Sequence, residues 1–264
     1  MRIIPEKGEV STIFSRLLDY INSVDKEWKE KIKPTTNLKI EKLIKVSQKE
    51  ETGYPLPEAY IEYLKKMGEC DGDLLVSNLH LAKTDINTIY NNYKEMLIEQ
   101  DPDDLIDPNM FIFAYNTECS SGYYIKTIKD GNHIIVSGEE RNKCDYFVEN
   151  FEKLLFQTAY KKYESKYFNH ERSFCVGQID YEVYEKQELK NIITLLKNNV
   201  MEQEINVSWI SDKNHLIMFS NEFSIGIYKE FNIYGTIYYN YEKDFKELYK
   251  NVEKYFCFGQ IEWE

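Results

Sequence analysis

Apolar and polar positions alternate along this chain in two rhythms, one near 3.6 residues and one of two. The first opens the chain. In STIFSRLLDYINSV, Phe14, Leu17, Leu18 and Ile21 recur at helical spacing behind Ser11, a cap-forming residue, and predict a helix. A polar, Lys-rich connection runs through Pro34. In YPLPEAYIEYLKKMGECDGD, Pro57 suits a first helical turn, because its missing N–H would have no partner there. Tyr60, Leu64 and Met67 then share a face, and Gly68 can end the helix. DLLVSNLHL reads as a short strand, and Asp85 as the cap of a helix with Ile86, Ile89, Tyr90, Tyr93 and Leu97 in one stripe.

Further along, FIFAYN reads as a buried strand, while YYIKTI and HIIVSG flank KDGN, a turn of the Asp-Gly type, so a hairpin is expected. A long helix with Phe147, Phe151, Leu154 and Leu155 inward is expected next. KKYESKYFNHER, from Lys161 to Arg172, is polar enough to be either the frayed end of that helix or a linker. Beyond it, Leu189, Ile192, Ile193 and Leu196 mark a helix. INVSWI, LIMF, FSIGIY and GTIYYNY read as four strands, and Phe245, Leu248, Tyr249 and Val252 as one face of a final helix. Strands joined by hairpins, with helices segregated along the chain, give an α+β class: an antiparallel sheet flanked by helices, then a smaller α+β unit. The division is expected as residues 1–165 and 166–264.

One hexapeptide is spelled almost twice, FCVGQI at Phe174–Ile179 and FCFGQI at Phe256–Ile261. Companions keep the same order: ECSSGYY from Glu118 matches EFSIGIY from Glu222, and NFEKL from Asn150 matches DFKEL from Asp244. The reading is an old duplication whose second copy has been trimmed in a hairpin region and in the polar stretch after the helix, where length changes cost little. On that reading Cys175 and Cys257 occupy equivalent positions in two similar subdomains. They are small apolar residues on strands rather than metal ligands, since only His170 lies near the first and no His lies near the second.

Charge narrows the function. The 264 residues carry 33 Lys and Arg against 45 Asp and Glu, a net charge of −12, which disfavours sequence-independent binding to nucleic acid or to an anionic membrane. No run of 18 apolar residues predicts a membrane span. MRIIPEKGEV lacks the apolar core of a signal peptide, and five dispersed cysteines without a C-x-x-C suit reduced thiols, so a cytoplasmic location is expected. Hydrophobic residues at 42%, with 22 Tyr and 14 Phe, suffice for a packed core.

Enzymatic signatures are missing: there is no G-x-S-x-G, Walker loop, H-E-x-x-H or dinucleotide fingerprint, and no metal or cofactor site is expected. Five Cys and four His (His80, His133, His170, His215) leave a nucleophile pair open in principle without singling one out. EMLIEQDPDDLIDP carries six acids and no base. Asp101, Asp103, Asp104 and Asp107 lack the Gly and terminal Glu of a calcium-binding loop, which leaves a solvated acidic loop or a surface for a cationic partner. Tyr90, Tyr93 and Tyr115 lie near that run in sequence, as interface or as core residues.

Three stretches carry a resemblance. LPEAYIEYLKKMGECDGDLL, MFIFAYNTECSSGYYIKTI and CDYFVENFEKLL together resemble the SUKH superfamily, the group named partly for the Smi and Knr regulators of yeast cell-wall synthesis, over about Ile40 to Tyr160. Where that family commonly has an Asn-Gly-Gly turn, this chain has Gly68, Glu69, Cys70, Asp71 and Gly72. The resemblance implies a non-enzymatic binding protein, of the kind that bacteria use as immunity proteins against a cognate toxin, often a nuclease. It carries no catalytic residues. A basic protein partner is expected, with Glu69, Asp71, Asp101, Asp103, Asp104 and Asp107 as its contacts. An intracellular scaffold or regulator of the same fold, and a hydrolase with an unrecognised Cys or carboxylate site, are the alternatives.

Overall fold

The computed structural model describes residues 5–49, 51–76, 78–99, 107–116, 118, 121–128, 132–140, 143–176, 206–220, 223–229, 233–252 and 256–258. The class is α+β with antiparallel sheets, and the chain divides into two compact units, Met1–Lys162 and Tyr163–Glu264. Among the described residues, no helix is long and apolar enough to cross a membrane.

Helices open the first unit: α1 (Ile13–Asn22), α2 (Trp28–Lys31), α3 (Asn37–Val46) and α4 (Glu58–Met67). A short 3-10 turn over Val10–Thr12 precedes α1, so the first helix is capped by Thr12 and not by Ser11, and Thr12 gives no side-chain cap. Helix α3, in a stretch with no predicted element, is capped by the Thr36 hydroxyl, which accepts from the Lys39 N–H. Pro57 stands at the N-cap of α4 and Gly68 at its C-cap. Strands β1 (Ile32–Lys33) and β2 (Cys70–Asp71) pair antiparallel between these helices.

DLLVSNLHL is not a strand. From Asp73 to Leu81 the described residues form successive turns, and His80 and Leu81 take positive φ, incompatible with an extended run. The physical reason is Asp71, whose carboxylate accepts from the N–H groups of Leu74 and Leu75 and holds the chain in a turn. Helix α5 (Ile86–Glu99) follows with the cap that the sequence predicts, the Asp85 carboxylate accepting from the Thr88 N–H and hydroxyl.

Strands β3 (Met110–Asn116), β4 (Ser121–Thr127), β5 (His133–Glu140) and β6 (Lys143–Val148) form a four-stranded meander in chain order. The hairpin expected across KDGN is present, with Thr127 opposite His133, while residues 129–131 lie outside the described residues. Strand β6 takes up what reads from sequence as the start of a helix: Phe147 lies on β6, and α6 (Phe151–Tyr163) begins only after Asn150, whose side chain accepts from the Lys153 N–H. Tyr60, Tyr63, Phe111, Phe113 and Phe151 meet ring to ring in the core, bringing α4, β3 and α6 together.

The second unit has a six-stranded sheet. Its strands are β7 (His170–Val176), β8 (Asn206–Val207), β9 (His215–Phe219), β10 (Phe223–Lys229), β11 (Ile233–Tyr239) and β12 (Phe256–Phe258), in the order β12-β7-β11-β10-β9-β8. Helix α7 (Glu242–Val252) lies between β11 and β12 in the chain, with Phe245 buried and stacked on Tyr239. The polar stretch after α6 becomes a 3-10 turn and then β7. The helix expected at Leu189–Leu196 lies outside the described residues.

ECSSGYY and EFSIGIY overlap β4 and β10, each paired on both sides, and NFEKL and DFKEL fall at the helices that follow β6 and β11 in the chain. The hexapeptides both fall in the second unit, where their described residues, Phe174–Val176 and Phe256–Phe258, pair antiparallel with Cys257 opposite Cys175, so they are not equivalent parts of two subdomains.

Candidate functional site

The described acidic residues among the expected contacts do different jobs. Asp71 is 4% exposed. Its Oδ1 accepts from the Leu74 N–H at 3.1 Å, and its Oδ2 from the Leu75 N–H at 3.0 Å and from the Tyr63 hydroxyl at 3.3 Å. Burial pushes its carboxyl above the ordinary value, and these bonds, with Lys162 nearby, pull it back. A buried carboxylate with three donors is a structural residue, so Asp71 is withdrawn as a partner contact. Glu69 is half-buried and paired with Lys39 at 2.6 Å. Asp107 is exposed, and Asp101, Asp103 and Asp104 lie outside the described residues.

Asp107 borders a cleft of about 90 Å³ at the end of α3. Val46, Lys49, Tyr93, Met96, Leu97 and Met110 are among its lining residues. Local sequence builds it from a helix end. After Val46 the Gln48 N–H donates to the Lys45 carbonyl and the Lys49 N–H to the Ile44 carbonyl, the paired bonds of a Schellman cap, with Gln48 at φ 55. That position favours glycine, because a Cβ crowds the backbone in the left-handed region. Gln48→Gly is expected to stabilise the first unit by about 0.5–1 kcal/mol in urea unfolding, the relieved strain exceeding the added chain entropy.

The cap turns Lys49 inward. The side chain is 4% exposed, and its Nζ donates to the carbonyls of Pro108 and Met110, each at 2.6 Å, which fastens the entry of β3 to the end of α3. Burial lowers its pKa from 10.5 to about 8, with Asp107 opposing the shift. The unfolded chain therefore keeps this proton between about pH 8 and 10.5 while the folded chain loses it, so stability from this group rises with pH across that window. Urea unfolding at pH 8 and pH 10 is expected to show a more positive change for the native chain than for Lys49→Met. Equal changes in the two proteins would remove Lys49 as the source.

On the other side of the cleft, the Tyr93 hydroxyl accepts from the Ile112 N–H at 2.8 Å. Between Ile112 and Ala114 the β3–β4 register slips, and that N–H on an edge strand is satisfied by helix α5 instead. Tyr93 is therefore a buried positioning residue, not an exposed contact, while Tyr90 and Tyr115 are half-buried. Leu97 and Ile98 remain exposed, 40% and 71%, at the last turn of α5 where the acidic run begins.

Small-molecule sites run from roughly 300 to 1,000 Å³, and a cleft of this size holds one side chain. Among the described residues no three His, Cys, Asp or Glu side chains gather as a metal site. In the second unit, His215 and Asp212 meet at 3.1 Å (Nδ1 to Oδ1), both buried. Asp212 Oδ1 also accepts from the N–H groups of Asn214 and His215, which makes the pair part of the turn into β9. Sequence reading missed Lys49 and Gln48, because a Schellman cap without glycine leaves no compositional mark. Comparison with family models, curated proteins and solved structures finds no match to this chain.

Proposed function

We propose that this chain is a non-enzymatic protein-binding module of SUKH type, which neutralises a basic protein toxin by direct contact in the cytoplasm of the cell that makes both. The observation that carries the proposal is the join at the end of α5. There exposed Leu97 and Ile98, a cleft of side-chain size, and the acidic run from Glu99 to Asp107 are contiguous in the chain. An apolar anchor beside a one-signed charged segment suits a protein partner: the cleft takes one aliphatic or aromatic side chain, and the acids attract a cationic surface. The net charge of −12 extends that attraction over the molecule.

A cell-survival assay tests the proposal. Each open reading frame adjacent to this gene is expressed alone and together with it. Co-expression is expected to restore growth against one toxic product, and the two chains are expected to co-purify. Growth arrest that this chain never relieves, with no complex formed, would sink the reading. A complex formed without any toxic product would turn it to a scaffold or regulator.

A further inference from the structure

The repeated hexapeptide brings two cysteines to one place in the sheet. Strand β12 pairs antiparallel with β7, and the register sets Phe256 opposite Val176, Cys257 opposite Cys175 and Phe258 opposite Phe174. The pairing is centred on the cysteines, with Phe-Cys run in opposite directions on the two strands. Directly opposed positions on antiparallel strands share a face of the sheet. Their Cα atoms stand about 5.5 Å apart in a hydrogen-bonded pair and about 4.5 Å apart otherwise. A disulfide spans roughly 4.4–6.8 Å between Cα atoms, so either kind of pair satisfies it.

Position in the sheet adds a consequence. Among the described residues, strand β12 is three residues long and outermost in the strand order, and β7 is the strand it pairs with. A short edge strand opens locally at low cost, which admits a small reagent to the pair and lets the backbone adjust to the bond. The described cysteines of the other unit, Cys70 and Cys144, are not joined in a disulfide.

We propose that Cys175 and Cys257 form a redox-active pair, oxidised by a low-molecular-weight disulfide to a cross-strand bond that fastens the last strand to the sheet. The reaction is two exchanges. The thiolate of one cysteine attacks a sulfur of the small disulfide, forming a mixed disulfide and expelling one small thiolate. The second cysteine's thiolate then attacks the protein sulfur of that mixed disulfide and expels the other small thiolate. The protein is oxidised by two electrons and the small disulfide reduced by two, and the two thiol protons leave with the small thiols. The bond closes a ring of roughly 80 residues in the unfolded chain, which restricts that state more than the folded one.

Equilibration of the full chain in mixtures of reduced and oxidised glutathione, followed by alkylation of free thiols and peptide mass mapping, tests this directly. The expected result is loss of two alkylatable thiols and one cross-linked peptide joining the Cys175 and Cys257 segments. Melting of the oxidised chain is expected roughly 10 °C higher, reverting on reduction. Cys175→Ser and Cys257→Ser are each expected to stop at a glutathione adduct on the remaining cysteine. The mapping on the native chain stands even if either variant folds poorly. Both thiols still alkylatable in the most oxidising mixture, a cross-link to Cys70, Cys119 or Cys144, or stable adducts on the native pair would overturn the proposal. So would zinc ions held by the two cysteines and protecting them from oxidation.

Discussion

Replacing Asp71 with alanine is expected to cost the first unit about 3 kcal/mol, measured by urea unfolding. The substitution removes an acceptor from three donors at once, the N–H groups of Leu74 and Leu75 and the Tyr63 hydroxyl, all inside a protein core where no water replaces it. The turn residues from Asp73 to Leu81 then lose the group that keeps them from extending. Burial of the carboxyl offsets part of this, since its pKa is raised and its charge is costly there. Asp71→Asn keeps one oxygen acceptor and is expected to lose about half as much. Gly72 makes the same turn sensitive from its other side: it has φ 65, and a Cβ there would stand 2.7 Å from Trp28 Nε1. That nitrogen donates to the Asp71 carbonyl, so the Trp28 ring is held in place and cannot move aside freely. A loss below about 1 kcal/mol for Asp71→Ala would show that the turn does not depend on its carboxylate.

Charge reversal at Asp101, Asp103, Asp104 and Asp107, each to Lys, is expected to slow association with the toxin partner by roughly 10²-fold at low salt. Steering falls with ionic strength, so the difference should shrink as salt is raised through 0.5 M. Dissociation should change less, because rim charges act mainly on encounter. The control carries the same change of net charge elsewhere, Glu27→Lys, Glu30→Lys, Glu41→Lys and Glu58→Lys, all at exposed positions. If both fourfold variants bind equally slowly, the overall charge steers the partner and the acidic run has no special place. Leu97→Ala then separates the two contributions of the join, since loss of an apolar anchor is expected in the dissociation rate.

Helix α4 and the cap of α5 were legible because their signals are local. Pro57, Gly68 and Asp85 act within one turn of where they stand, and the apolar stripe of each helix needs no distant residue to be read. Strand β6 was not, because Phe147 falls in helical step with Phe151, Leu154 and Leu155, and only pairing with β5 separates strand from helix. The candidate site was half legible. Its acidic run is plain in the composition, whereas Lys49 and Tyr93 act through partners far off in sequence, the Pro108 and Met110 carbonyls and the Ile112 N–H, and Gln48 through a left-handed cap that no glycine marks.

By itself the sequence determined the α+β class, the β4–β5 hairpin, the bounds of α4, the cap of α5, the acidic balance and the repeated hexapeptide, all of which rest on periodicity, nearest neighbours or counting. Only the tertiary structure decided that DLLVSNLHL turns instead of extending, that Asp71 is buried, and that the two copies of Phe-Cys face each other in one sheet. The physical reason is that burial and register are settled by what packs around a segment. Asp71 bonds its own turn three and four residues on, but only the packed core makes it a buried carboxylate, and no local pattern records which neighbouring strand will arrive.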